Sequence, residues 1–439
     1  MRKGVGVAKF GGTSVADIFA IQKCINIVKK NNDIKIVVVS AQAGVTNLLA
    51  KLLDSDITSY KEIILKLHDI IDPIVDHVGN DVNSWINILF NELEVLCQKL
   101  YRTKSQNLKL HAQILAFGER ISAFIFNQAL KNRGVESRYI DARCIIKTQG
   151  CYTKAKPVLE AIAEQVKKHL RDTDKIFVLE GFIGSNAEGE TTILGRGGSD
   201  YSAALIAEAI KAHMLYIWTD VTGIYQADPR LIPQSQVIER ISYQEAIELA
   251  NFGAKVLHPD TLQPVLRSNT KVFVGSTFYP NKGGTYIDND TVEDENIIKA
   301  VTERAEQTLI NIKSFNQDIS SIANQVFLVL KKYDINAEIS NLTESAFSFV
   351  ITKVDNIVEQ LILKDLRHLR EVELSLERNL LLTTIVGNNL DKMPSLLNNL
   401  SESLSSLNIR LSGYGATGKS LYLLSNSQNS LEKVYKELF

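Results

Sequence analysis

A layered α/β domain with a mostly parallel sheet, followed by two small α+β modules, is the fold class predicted for this chain, and three features predict it. Short β-rich runs alternate with longer helical patterns from the start to about residue 295. Beyond that point a βαββαβ order is read once in full and once without its last strand. Between the two textures, YPNKGGTYIDNDTVEDEN at 279–296 concentrates turn formers and acids, which places the boundary of the first domain near 295.

Taken in order, the first domain opens on a strand at Val5 to Phe10 and continues with KIVVVSA at Lys35 to Ala41. From Leu48 to Tyr101 the pattern is helical, with polar breaks near 54–59 and 79–83, which suits a helical insertion or lid. A helix over about 112–131, the strand KIFVLEGFIG at 175–184, a helix after GRGGSD and the strand MLYIWTD at 214–220 follow. The first small module, 305–379, reads as strand 308–313, helix 320–333, strands 337–342 and 346–352, helix 357–369 and strand 371–376. The second, 380–439, reads as strand 380–386, helix 394–407, strands 410–414 and 420–424, and helix 430–438; segment 299–304 is expected to complete it.

With 439 residues the chain exceeds one ordinary core and can bury substantial apolar surface. Lys and Arg number 49 against 50 Asp and Glu, so no broad field points to a nucleic acid or an anionic membrane, and a small-molecule ligand is expected. No apolar run reaches the roughly 18 residues of a membrane span. Cys24, Cys97, Cys144 and Cys151 form no CxxC pair, which fits a reducing cytoplasm.

Two glycine-rich segments share a strand, loop, helix grammar. KFGGTS at Lys9 to Ser14 runs from strand into adjacent glycines, where backbone N–H groups can approach an anion and a helix from about Ala16 presents its positive end. Lys9 adds a mobile point charge. An ordinary strand-to-helix turn accounts for the same residues. GRGGSD at Gly195 to Asp200 adds a guanidinium suited to carboxylate or phosphate and an acid able to orient a lysine; alternatively, Ser199 or Asp200 simply caps the following helix. WTDVTGIYQADPR offers Tyr225 and Arg230 as a nucleotide surface or is turn chemistry alone, FGAKVLHP adds Lys255, and Glu119 sits beside Gly118 in a helical pattern. GYGATGKS at Gly413 to Ser420 satisfies the GxxxxGKS pattern, yet SLYLLSN after it reads as a strand, so the segment is expected to be a turn between two strands.

KFGGTS, VSAQAGVTN, AFGE, GRGGSD, WTDVTGIYQADPR and FGAKVLHP, in this order and ahead of paired modules, resemble the aspartate kinases, most closely their monofunctional, lysine-sensitive type. The resemblance runs nearly end to end and implies an amino-acid-kinase fold over 1–295 with two ACT domains. It implies an ATP- and Mg2+-dependent transfer to the side-chain carboxylate of L-aspartate, giving 4-phospho-L-aspartate, the first step toward lysine and diaminopimelate, threonine and methionine. Carried over by motif, Lys9 and Asp200 are the catalytic pair. Lys9, Phe10, Gly11, Gly12, Ser40, Thr219, Asp220, Tyr225, Arg230, Lys255 and Val256 bind ATP, and Thr46, Glu119, Arg196 and Ser199 bind aspartate; no side chain is assigned to a metal. Feedback by an amino acid, lysine first, is implied at Ser320, Ser321 and Ile322, at Asn336, Ala337 and Glu338, and at Thr343 and Glu344, in a homodimer joined through ACT domains. Glu338 stands where the family usually has aspartate, which moves the carboxylate that meets an effector ammonium. A catalytically silent amino-acid sensor is the competing function class, and the intact Lys9 and Asp200 argue against it.

Overall fold

The computed structural model describes residues 4–439 except 57, 104–106, 171–173, 254–255, 290–297, 315–317, 370, 394–395 and 397–399. The chain divides into two compact units, Met1–Tyr225 with Gln236–Glu293, and Gln226–Ser235 with Asp294–Phe439.

The first unit runs β1 (Gly6–Phe10), α1 (Ile18–Lys30), β2 (Ile34–Val39), α2 (Val45–Asp54), α3 (Tyr60–Val78), α4 (Asn80–Thr103), α5 (Leu108–Leu115) and α6 (Phe117–Asn132). It continues with β3 (Ser137–Tyr139), β4 (Thr148–Gln149), β5 (Lys156–Pro157), α7 (Leu159–His169), β6 (Ile176–Glu180), β7 (Ile183–Ser185), β8 (Thr191–Ile193), α8 (Gly198–Ile210) and β9 (Met214–Thr219). Last come β10 (Arg240–Ile241), α9 (Tyr243–Asn251), α10 (Pro259–Ser268), β11 (Lys271–Ser276) and β12 (Gly284–Ile287). Eight strands form one sheet in the order β10-β12-β11-β9-β1-β2-β6-β3. β1 lies between β9 and β2, parallel to both, and the β11–β12 pair is antiparallel. β1 and the β-branched run of β2 are buried almost throughout, as expected of a parallel sheet covered on both faces. The carboxyl ends of β2, β1, β9 and β11 therefore open side by side, the place where open α/β sheets bind ligands.

The helical stretch over 48–101, expected as an insertion or lid, packs as part of the main core. Leu67 and Ile71 of α3 and Leu93 of α4 are fully buried in the same apolar cluster as Phe10 and Phe126. Their period-3.6 apolar stripes are satisfied by that cluster.

The second unit contains β13 (Ile298–Ser314), α11 (Ile319–Lys332), β14 (Ile339–Leu342), β15 (Ala346–Thr352), α12 (Asn356–Arg367), β16 (Val372–Gly387), β17 (Ile409–Tyr414) and β18 (Ser420–Ser425), with helices Ser401–Ser406 and Ser430–Leu438. Its sheet follows β14-β15-β13-β16-β18-β17 with antiparallel neighbours. The sequence suggests separate strands at 299–304 and 308–313, and at 371–376 and 380–386; in the fold each pair is one continuous strand. The modules are joined through β13 and β16, whose register shifts between Arg304 and Leu309, where Glu306 and Asn379 take positive φ. A bulge absorbs the irregularity that reads as a break in the sequence.

The segment Gln226–Ser235, expected within 1–295, belongs to the second unit. Ala227 and Ile232 bury in the cluster of Val301, Ile385 and Tyr435, and Val301 N donates to Gln226 O at 2.7 Å. Residue 295 itself and the expected start of a helix at 394 lie outside the described residues. GYGATGKS is the β17–β18 hairpin connection.

Candidate active site

β1 ends in a lysine, and the strand's position between two parallel neighbours decides what that lysine meets. Lys9 is 8% exposed, and its Nζ stands 2.6 Å from Asp200 Oδ1. The contact is an ion pair and lacks the alignment of a hydrogen bond. Asp200 is presented by the first turn of α8, where a carboxylate also suits the helix dipole. Neither Ser199 nor Asp200 caps that helix, contrary to the simpler reading: Gly197 takes the N-cap, at φ 69°, leaving both side chains inside the first turn.

The turn after β1 is built by close backbone approach. Gly11 N donates to Trp218 O at 3.0 Å, Ser40 N to Phe10 O at 3.1 Å, and Ala43 N to Gly12 O at 3.1 Å. A Cβ on Gly12 would lie 2.8 Å from the Ala41 carbonyl oxygen, so only glycine fits. The expected helix from Ala16 starts later. A 3-10 turn occupies Gly12–Val15, and α1 is capped by Asp17, whose carboxylate accepts from Ala20 N at 2.8 Å. The Gly11 N–H is engaged by Trp218 O, and Gly12 is the first residue of the 3-10 turn.

The loops after β9 and β11 are tied to this turn. Ser14 Oγ and Thr277 Oγ1 are 2.7 Å apart, Thr277 N donates to Thr219 O at 2.9 Å, and Thr219 Oγ1 donates to Asp220 Oδ1 at 3.0 Å. Beside them a cleft of about 480 Å³ is lined by Thr13, Asp17, Lys23, Asp220 and Phe278, with Lys23 Nζ 4.9 Å from the centre of the Phe278 ring. A recess of about 730 Å³ on α12 holds none of the expected residues; size does not mark the chemistry here.

On the other side, Glu119 occupies the first turn of α6 and is 3% exposed. Burial pushes its carboxyl up to about 7; backbone N–H groups of Ala41 and of Glu119 itself and the charge of Lys9 oppose the rise, while the charge of Glu180 adds to it. Glu119 Oε2 has no hydrogen-bond partner among the described residues. A buried carboxylate with a free oxygen is suited to a cationic ligand group. Ser199 packs on Gly181, where an added Cβ would come within 2.5 Å of Ser199 Cβ. Thr46 is exposed in the first turn of α2, and Arg196 is exposed in the loop before α8 with no ion-pair partner among the described residues.

Tyr225 is half-buried and bridges to Val237 in the first unit. Arg230, expected beside it, falls in the second unit, where its guanidinium donates to Asp228 at 2.9 and 2.6 Å. Lys255 lies outside the described residues, and Val256 next to it is half-buried. In the second unit Ser320 and Ser321 stand exposed at the start of α11, where Asp318 accepts from their N–H groups. Ile322 is corrected: it is fully buried with Ile310, Phe347 and Phe349, so its side chain meets core and not a ligand. Asn336, Ala337 and Glu338 lead into β14, and Thr343 and Glu344 form the β14–β15 turn. Glu338 is engaged: it accepts from Arg304 Nη1 and, at 2.9 Å, from Thr352 Oγ1.

The model of the amino acid kinase family matches residues 5–276. Over 99% of both chains the sequence is 35% identical to lysine-sensitive aspartokinase 3 of Escherichia coli (strain K12), and it is 35% identical to an aspartokinase of Chlamydia pneumoniae over 91% of this chain and 89% of that one. The chain belongs to the aspartokinases of the amino acid kinase family. The crystal structure of E. coli aspartokinase III in complex with aspartate and ADP (R-state) superposes with a TM-score of 0.89 at 33% identity, covering 99% of this chain and 100% of that one. The T-state complex of the same E. coli enzyme with lysine and aspartate superposes at 0.83 with 34% identity, covering 99% of each chain. Within this aspartokinase fold, Glu180, Tyr139, Lys23 and Phe278 escaped the sequence reading. Glu180 alone left a signal: an acid closing the apolar run IFVL immediately before a glycine.

Proposed function

We propose that this chain transfers the γ-phosphoryl group of ATP to the side-chain carboxylate of L-aspartate, giving 4-phospho-L-aspartate. The observation that carries the site assignment is the buried Lys9–Asp200 pair at the carboxyl end of β1, beside a loop that tolerates no side chain at Gly12. The nucleophile is the substrate's own carboxylate, with a pKa of about 3.9, so no general base is needed. The protein supplies alignment and neutralisation of charge. Lys9 faces the transferring phosphoryl group, Asp200 fixes Lys9, and the Gly11–Gly12 turn, with Phe10 and Ser40 behind it, receives the phosphates. Glu119 takes the aspartate ammonium and Arg196 its α-carboxylate, with Thr46 and Ser199 alongside. Thr219, Asp220, Tyr225 and Val256 line the nucleotide side; Lys255 is assigned there by family pattern.

Mg2+ enters with the nucleotide. Asp200 or Asp220 would hold it together with phosphate oxygens and water, and its chemistry would be charge neutralisation. The second unit we read as two ACT domains that pair in a homodimer and receive an amino-acid effector, lysine first, at Ser320, Ser321, Asn336, Ala337, Glu338, Thr343 and Glu344. No helix among the described residues is long and apolar enough to cross a membrane, and the four cysteines are unpaired, which supports a cytoplasmic setting.

Incubation with ATP, Mg2+ and aspartate, trapping the acyl phosphate with hydroxylamine, is expected to give aspartyl hydroxamate. Product with glutamate and none with aspartate would overturn the substrate assignment.

A further inference from the structure

Glu180 is wholly buried at the end of β6, one residue before the Gly181 on which Ser199 packs. Both its oxygens accept: one from Tyr139 Oη and the other from Ala142 N at 2.7 Å. Across the sheet Glu180 pairs with Val39 of β2, and Gly181 N donates to Val39 O at 2.9 Å. Two residues beyond Val39, Ala41 faces Glu119, and α6 is held there so closely that a Cβ on Gly118 would lie 2.7 Å from Ala41 Cβ. Two carboxyl groups that the proposed substrate chemistry treats differently, Glu180 at the end of β6 and Glu119 on α6, are thus both buried beside the segment that leaves β2.

We infer that Glu180 is a positioning residue of the aspartate pocket, acting through its charge on the neighbouring Glu119 and through its clamp on the strand end that carries Gly181 against Ser199. The inference rests on Glu119 as the ammonium-binding group. The charged and titratable groups around the pair are Tyr139 and Asp141 from β3 and the loop after it, Arg143 on Asp141, Arg120 beside Glu119 on Glu92, and Lys9 from β1. Asp141 is held by Arg143 at 2.5 Å, and Arg120 by Glu92 at 2.9 Å, so neither cation is committed to Glu180. Burial first, then the charge of Asp141, pushes the Glu180 carboxyl up to about 7, and the Tyr139 and Ala142 donors oppose this. With two like groups sharing a dry region, ionisation of one disfavours ionisation of the other. Only ionised Glu119 pairs with an ammonium, so the charge of Glu180 adds to burial in raising the pH above which aspartate is held.

The test is the pH profile of kcat/KM for aspartate, measured on the full chain with saturating ATP and Mg2+. Glu180→Gln removes the charge while the Tyr139 hydroxyl can turn to accept from the new amide. Its acid limb is expected to move to lower pH, with the change in KM for aspartate and not in KM for ATP. Tyr139→Phe, which withdraws a donor that favours ionised Glu180, is expected to move the limb in the same direction and serves if Glu180→Gln fails to fold. Profiles of both variants that coincide with the unaltered protein's would overturn the inference. Glu119→Gln separates the two claims. A raised aspartate KM there, with unmoved limbs in the other two variants, sinks the Glu180 role alone; an unchanged aspartate KM sinks the Glu119 assignment and the inference together.

Discussion

Lys9 and Lys419 each stand next to a glycine-rich loop, and only Lys419 belongs to a sequence that satisfies the better-known phosphate-loop pattern. The tertiary setting reverses that order. Lys9 ends a central parallel strand, is almost fully buried and is paired with Asp200 across nearly two hundred residues of chain. Lys419 sits in the connection of an antiparallel hairpin and donates to Asn388 Oδ1 at 2.7 Å. Glycines confer close approach in both places, but only a strand end beside a helix start gathers N–H groups, a cation and an acid around one point.

Replacing the two lysines gives the largest contrast. Lys9→Ala is expected to lower kcat by about 10³-fold, the scale of a lost charge-stabilising donor, whereas Lys419→Ala stays within about twofold. Steady-state hydroxamate rates check both, and comparable losses would erase the distinction. Asp200→Asn keeps the shape and removes the charge that holds Lys9; a fall in kcat of about 10²-fold is expected with KM for ATP changed less.

The glycines sharpen the comparison on stability. Gly12→Ala forces Cβ to 2.8 Å from a backbone carbonyl, and a loss of about 1–3 kcal/mol in urea unfolding is expected together with lost activity. Gly418→Ala must adopt φ 68° with Cβ near the Asp391 carboxylate, so a cost of about 1–2 kcal/mol is expected without a matching loss of turnover.

The smallest effect concerns ion pairs. Lys9–Asp200 is shielded, while Arg304–Glu338 is a fifth to a quarter exposed and screened by solvent. With lysine as the proposed effector, Glu338→Gln is expected to shift the lysine concentration for half-inhibition by only about threefold, because the carboxylate it removes is already engaged by Arg304 and Thr352. Complete loss of lysine response would show that the effector displaces Arg304.

Much of the fold was legible because periodicity is local. The helix expected at 430–438 is observed at Ser430–Leu438, and that expected at 320–333 at Ile319–Lys332. The long strands β13 and β16 were read as halves because a bulge carried by Glu306 and Asn379 resembles a turn in composition. Arg230 was grouped with Tyr225 by proximity in sequence, yet the apolar pair Ala227 and Ile232 carries that segment into the other unit. Ile322 comes to the effector site through the family resemblance, which locates a helix start without telling which side of it faces the core.

The sequence alone determined the α/β order, the duplicated modules and the residue types able to handle a phosphoryl group, since these depend on composition and spacing within a few residues of one another. Only the tertiary structure decided which charges meet. Lys9 with Asp200, Glu119 near Glu180, and Glu338 with Arg304 are partnerships across the sheet or between modules, and their energies depend on burial and distance, quantities that exist only once strand order is set.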